Sequence, residues 1–288
     1  MTEPDPYRAP DSTGELDVAP IRPMSIAAAL GLTLLATFLT HFLFAVLVMV
    51  GLASTEDRVV TAVTCQAIAY VATVAVAMFV YAPNVSLARF VGLRSTSWGF
   101  YVLGALLGLS LQLPMNALYD VVLTHFPLPT PSDLEPIYRA SAMPRRLLIG
   151  FSLVAFGPLA EEALFRGGLF VPLLRRTAVH RALMTVGISA VLFAAVHLQW
   201  QHILCVLPMG VALGLLRYTS GSFAPSVFAH ATFNAVAMAQ ISAGREAFVA
   251  PASVLAITTL SSLLVLGGIV LLGQRSEAAG AARAEDAA

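Results

Sequence analysis

The chain has 288 residues, of which 58% are hydrophobic and 11% are charged, and its mean hydropathy is +0.82. Soluble domains are about 45–50% apolar and about 25% charged, so this composition excludes a soluble globular protein and predicts an integral membrane protein. The formal net charge is zero, which argues against nucleic acid as a partner.

Two polar segments enclose the hydrophobic part of the chain. Residues 1–24 are acidic and rich in proline, which is typical of a disordered tail. Residues 274–288 are polar and rich in alanine and form a second predicted disordered tail. We therefore expect a single transmembrane domain over residues 25–273.

Eight hydrophobic segments follow one another between the tails. A helix needs about 20 apolar residues to cross the bilayer, and most of the segments approach or exceed that length. They cover approximately 26–53, 59–82, 98–124, 147–172, 182–198, 202–218, 223–243 and 251–273. The predicted fold class is an all-α, polytopic membrane bundle of about eight transmembrane helices.

The fourth segment contains Gly157 and Pro158. Because proline lacks a backbone donor and clashes with the preceding turn, we expect the helix to break or restart there. A broken helix at membrane depth is tolerated only where it faces protein or water. The break therefore predicts a polar cavity close to Glu161.

The distribution of arginine predicts the orientation, because cytoplasmic loops carry an excess of basic residues. With the amino terminus inside, five arginines lie outside and ten lie on the cytoplasmic side: Arg8, Arg22, Arg89, Arg94, Arg175, Arg176, Arg181, Arg217, Arg275 and Arg283. This predicts a multi-pass protein of the cell (inner) membrane with both termini in the cytoplasm. The connection from His125 to Pro144 then lies outside, where it is a lid or a plain spacer.

Adjacent glutamates within the fourth segment are the strongest sign of chemistry. Glu162 and Arg166 are four residues apart and can pair on one helix face, which is the partner that a buried charge requires. Glu161 points about 100° away from Glu162 and cannot easily use the same arginine. It is therefore available as a general base on water, or as a carboxyl group that bonds a neighbouring helix.

Two further pairs lie downstream, each with a spacing of four. Phe193 precedes His197 in one segment, and His230 precedes Asn234 in the next. His230 and Asn234 can both donate hydrogen bonds from one helix face, as an oxyanion hole requires. Alone, each pair is also compatible with packing or with polar contacts between helices.

These three pairs, in this order, resemble the signatures of the CPBP family, which includes type II CAAX prenyl endopeptidases and bacteriocin-processing or immunity proteins. The motif core covers about residues 145–243. The resemblance implies an intramembrane glutamic endopeptidase that needs no metal or other cofactor. It implies that Glu161 and His197 activate a water molecule, that His230 and Asn234 stabilise the oxyanion, and that Glu162, Arg166 and Phe193 support them.

The resemblance also implies the partners, namely the lipid bilayer and a membrane-associated protein or peptide that is cleaved near its end. The amino-acid balance suits a bacterium, where relatives also process other peptides and include the myxosortase type. The substrate and the oligomeric state stay open.

Two alternatives have different chemistry. Glu161, His197 and His230 form a sufficient ligand set for a catalytic zinc ion, although they would come from three separate helices. A non-catalytic membrane immunity or scaffold protein could also use the same polar cluster, because intramembrane ionisable residues serve binding and proton relays too.

Overall fold

The computed structural model describes residues 21–54, 57–128, 134–174, 181–244 and 251–286. Every regular element in these ranges is a helix, as the sequence predicts. The helices outside the glutamate-bearing segment are α1 (Ile26–Met49), α2 (Arg58–Tyr81), α3 (Leu87–Val91), α4 (Trp98–His125), α5 (Leu134–Ala140), α9 (Arg181–Ala195), α10 (Trp200–Ser220), α11 (Ala224–Ala243) and α12 (Ala252–Asp286).

A single long helix, Met143–Leu174, carries both glutamates and is called the glutamate helix below. It consists of α6 (Met143–Phe151), a π-helical stretch (Ser152–Phe156), α7 (Gly157–Glu162), a second π-helical stretch (Ala163–Gly168) and α8 (Phe170–Leu174). We expect a break or a restart at Pro158. The long helix does not break there, but an α-helical element restarts: the π-helical stretch ends at Phe156, and α7 begins at Gly157 with Pro158 in its first turn. The Gly157 N–H donates to the Ser152 carbonyl and closes the π-helical stretch.

Six described helices are long and apolar enough to cross a membrane: α1, α2, α4, the glutamate helix, α10 and the first part of α12. The chain is thus a polytopic helical membrane protein, but the predicted count of eight is not confirmed. The segment predicted at 182–198 forms α9, which has only 15 residues. α11 has 20 residues but carries His230, Asn234 and Gln240 among its polar side chains.

The predicted tails differ in how far the structure reaches them. Residues 1–20 lie outside the described residues. At the end of the first predicted tail, Met24 is fully buried and its N–H donates to the Pro172 carbonyl. At the other terminus, α12 continues through the predicted tail to Asp286.

Local sequence signals account for several helix ends. The Ser25 hydroxyl accepts from the Ala28 N–H and begins α1, and Ser97 does the same for α4 through Gly99. Gly244 ends α11 with a φ of 68°, a conformation that glycine adopts without steric cost.

The glutamate helix packs between α2 and α11, which is what positions the site. On one side, apolar residues of α1, α2, α8 and α9 form a core cluster around Tyr70, Phe165 and Phe193. On the other side, α4, α10, α11 and α12 enclose a second cluster around Phe100, Leu107 and Leu216. The polar residues of the glutamate helix lie at the boundary of these two clusters.

Outside the apolar spans, an ion pair joins α2 to α6. Arg145 Nη2 lies 2.6 Å from Asp57 Oδ1, and the Ser54 hydroxyl donates to Asp57 Oδ2 at 2.7 Å. The Ser54 hydroxyl and the Arg145 guanidinium hold the pKa of Asp57 below its ordinary value.

Gly108 allows α4 to approach α11 closely. A Cβ atom at this position would meet the Ala229 carbonyl oxygen and would lie 2.9 Å from the Phe233 backbone nitrogen. Both obstacles are backbone atoms of α11, so they cannot be relieved by a change of rotamer.

We predict that Gly108→Ala lowers the melting temperature, because the helices must separate at a cost of about 1–3 kcal/mol. Thermal unfolding of the purified protein in detergent measures this. Gly31→Ala on α1 is the matched control, since an added Cβ there meets nothing within 4 Å. A melting temperature for Gly108→Ala equal to that of the control would contradict the close packing.

Candidate active site

Glu162 is the centre of a buried ionic cluster. Its side chain is fully buried, and its Oε1 atom accepts from Arg166 Nη1 at 3.0 Å and from His230 Nδ1 at 3.0 Å. Because a carboxylate only accepts, the His230 Nδ1 atom carries the proton in this contact. Glu162 is therefore committed to two partners, one from its own helix and one from α11.

Arg166 is also fully buried and extends the cluster to two further helices. Its Nη2 atom donates to the Gly210 carbonyl of α10 at 2.8 Å. Its guanidinium carbon lies 4.4 Å from the centre of the Phe193 ring of α9. The predicted pairing of Glu162 with Arg166 is present, and Phe193 packs beside it as a cation–π partner.

Glu161 lies on the other side of α7 and has a different environment. Its side chain is 14% exposed, its Oε1 atom accepts from Gln66 Nε2 of α2 at 3.1 Å, and its Oε2 atom lies 3.6 Å from His230 Nε2. His230 therefore faces both glutamates, one with each ring nitrogen.

His197 and Asn234 lie at the edge of this cluster. The His197 Nδ1–H donates to the Phe193 carbonyl at 3.2 Å, and the ring lies edge-on to the Phe193 ring at 5.6 Å. Asn234 Nδ2 donates to the Leu153 carbonyl at 2.8 Å. Within the described residues, neither side chain is hydrogen-bonded to Glu161. The structure thus brings His230, rather than His197, into direct contact with the carboxylate.

The turn that follows His197 has an unusual backbone conformation. Leu198 has a φ of 60°, although it is not a glycine, and its side chain is exposed. A residue with a Cβ atom pays about 1–2 kcal/mol for this conformation. Such strain is found preferentially near functional sites.

The second π-helical stretch is stabilised by side chains from neighbouring helices. Arg217 Nε of α10 donates to the Arg166 carbonyl at 2.8 Å, and the Ser189 hydroxyl of α9 donates to the Phe165 carbonyl at 3.1 Å. The prediction that Arg217 lies in a cytoplasmic loop is wrong, because Arg217 is fully buried within α10 and donates to a carbonyl of the glutamate helix.

Two adjoining cavities lie beside the site. One of about 470 Å³ is enclosed by α1, α2, α5 and Leu153, and one of about 180 Å³ is lined by α1, α2 and Val196. They share Thr40, His41, Ala62 and Val63. The smaller cavity reaches Gln66 and the residue before His197, and the larger one reaches Leu153, whose carbonyl binds Asn234. The connection from His125 to Pro144, expected to be a lid or a plain spacer, contributes α5 to the wall of the larger cavity.

Sequence reasoning missed Gln66 and Tyr70. Gln66 is an isolated amide in the second hydrophobic segment, and Tyr70 lies one turn later, with its hydroxyl 3.2 Å from Gln66 Nε2. The available signal was a pair of polar side chains four residues apart in an apolar helix. It did not indicate which helix they would face.

The zinc alternative has no geometric support in the described ranges. No group of three or more histidine, cysteine, aspartate or glutamate side chains there lies close enough together to hold a metal ion. Glu162 and His230 are instead engaged with one another and with Arg166.

The fold and the cluster define a polytopic helical membrane protein with ion-paired carboxylates buried among its spans. A family model described as type II CAAX prenyl endopeptidase Rce1-like matches residues 143–236, which contain the glutamate helix, α9, α10 and the first half of α11. The match covers 94 of the 288 residues, and over this segment it supports the resemblance to the CPBP family. Searches of curated proteins and of solved structures give no match.

We predict that Arg166→Ala lowers the folded yield and the melting temperature. Removing one partner of a buried ion pair costs about 3–5 kcal/mol, because the orphaned carboxylate remains buried. Yield and thermal unfolding in detergent check this, with Arg139→Ala as the control, since the Arg139–Glu135 pair is largely exposed. The double change Glu162→Gln with Arg166→Leu should recover part of the folded protein. Unchanged stability of Arg166→Ala would remove the supporting role of the pair.

Proposed function

We propose that the protein is an intramembrane glutamic endopeptidase that hydrolyses a peptide bond near the end of a membrane-associated protein or peptide. The observation that carries this proposal is the difference between the two adjacent glutamates. Glu162 is fully buried and bound by Arg166 and His230, whereas Glu161 is partly accessible and is held between Gln66 and His230. A carboxylate that is positioned but accessible suits a general base.

Glu161 takes a proton from the attacking water and returns it to the leaving amine. The His197 Nδ1–H is used by the Phe193 carbonyl, so Nε2 is the ring atom left to contact the same water. The contact between His230 Nε2 and Glu161 also supports a role for His230 next to the base. We therefore propose that His230 contacts the base that activates the water and also donates to the oxyanion.

Asn234 serves as a second donor to the oxyanion. An asparagine amide has two N–H groups, and one of them is used by the Leu153 carbonyl. The other is available for the negative charge that develops on the substrate carbonyl. Preorganised donors of this kind stabilise the transition state more than the bound substrate.

The adjoining cavities support a route for the substrate. They extend from the end of the bundle that carries α5 to Gln66, beside Glu161. Apart from polar groups such as His41 and Gln66 the lining is largely apolar, which suits an apolar peptide segment or a lipidated tail. The arginine distribution still places both termini in the cytoplasm when Arg217 is left out of the count of cytoplasmic arginines. The end of the bundle that carries α5 then faces away from the cytoplasm.

We predict that Glu161→Gln reduces turnover by about 10²–10⁴-fold, because it removes the general base, and leaves the melting temperature near that of the wild type. The assay uses protein in phospholipid nanodiscs and fluorogenic peptides with apolar carboxy-terminal tails, with and without a farnesylated cysteine. Glu135→Gln on α5 is the matched control. Wild-type turnover by Glu161→Gln, or a panel left uncut by the wild type, would count against the peptidase and favour a non-catalytic membrane protein.

We predict that Asn234→Ala reduces kcat by about 10²–10³-fold and changes KM by less than about threefold, because the donor acts where charge develops. Steady-state kinetics on the same peptides separate the two constants. Asn116→Ala on α4 is the control, since this amide bonds Gln240 instead of the site. His230→Ala should lose both turnover and stability, because it also removes the partner of both glutamates. If Asn234→Ala loses stability but retains kcat, the side chain serves only to join helices.

A further inference from the structure

Gln66 comes from a part of the chain that the family match does not include, yet it contacts the proposed base. The match begins at residue 143, whereas Gln66 lies on α2 and donates to Glu161 across 95 positions of sequence. We propose that Gln66 is a positioning residue that holds one oxygen of Glu161 and so directs the other towards His230 and the reacting water. This inference rests on the proposed function of Glu161.

The orientation of the Gln66 amide follows from its partners. The Glu161 carboxylate only accepts hydrogen bonds, so the nitrogen of the amide must face it, and the same nitrogen lies 3.2 Å from the Tyr70 hydroxyl. Tyr70 is itself rigid, because its side chain is 2% exposed and its ring packs edge-on against Phe165 at 5.9 Å. The amide nitrogen therefore lies between the rigid Tyr70 hydroxyl and the Glu161 carboxylate and contacts both.

Glu161 depends on this support because its other described polar contact is long. His230 Nε2 lies 3.6 Å from Oε2, which leaves room for movement of a flexible carboxylate. The hydrogen bond from Gln66 fixes the position of Oε1 and so limits the rotation of the carboxylate. A base that is misplaced by a small distance loses much of its rate advantage.

Gln66 also lies where the smaller cavity meets the site. The cavity of about 180 Å³ is lined by Gln66, Tyr70 and Val196 together with Thr37, Thr40 and His41 of α1. It has room for several water molecules or for a peptide group. Gln66 therefore lines the cavity and also contacts the carboxylate through its amide nitrogen.

The test compares Gln66→Leu with the wild type in the nanodisc peptide assay. We expect kcat to fall about 10–100-fold, the loss typical of one hydrogen bond to a charged group, while KM changes by less than about threefold. Gln112→Leu on α4 is the matched control, because its amide bonds Asn116 and not the site. Gln66→Asn keeps the amide but shortens its reach, so it should also lower kcat without placing a new apolar group beside Glu161.

A thermal double-mutant cycle provides a readout that needs no activity. Gln66→Leu, Glu161→Leu and the double variant are unfolded in detergent, and their losses in melting temperature should be smaller together than their sum, since the two side chains are in contact. If Gln66→Leu and Gln112→Leu have the same kcat and the losses are additive, the positioning role is overturned while the peptidase stands. If Glu161→Gln cleaves normally, the proposed function fails instead, and any coupling then reports only a structural hydrogen bond.

Discussion

The burial of the Glu162 carboxylate is the constraint on which the rest of the structure depends. A charge without partners inside the membrane is costly, and three neighbouring helices contribute groups to this cluster. Arg166 supplies the opposite charge, His230 brings in α11, and the Gly210 carbonyl and the Phe193 ring bring in α10 and α9 through the guanidinium. Satisfying one buried carboxylate thereby fixes how four helices lie relative to one another.

The burial of Glu162 also gives the two adjacent glutamates different environments. Successive positions on a helix point about 100° apart, so Arg166 bonds Glu162 and not Glu161, and His230 faces both through its two ring nitrogens. Glu161 retains some exposure and faces α2 and His230. The π-helical stretches on either side of α7 adjust the turn of the backbone, and Arg217 and Ser189 satisfy carbonyls in the second one. Irregular helix of this kind is found frequently at functional sites.

The site is composite, because the family-matched part of the chain does not complete it. Residues 143–236 provide the glutamates, the histidines and Asn234, but α1 and α2 provide Gln66 and most of the cavity lining. The ionic cluster is constrained by the cost of burying charge, whereas the cavity walls come mostly from helices that contribute nothing to that cluster.

Sequence by itself determined the membrane class, the helical fold and the pairing of Glu162 with Arg166, because composition and a spacing of four act within one helix. It also identified His197, His230 and Asn234 as candidates. Only the tertiary structure decided that His230 contacts Glu161, that Gln66 donates to it, that Arg217 is buried and that the long helix continues past Pro158. These features depend on which faces of separate helices meet. Helical periodicity shows which residues share a face of one helix, but it carries no information on which face of another helix lies next to them.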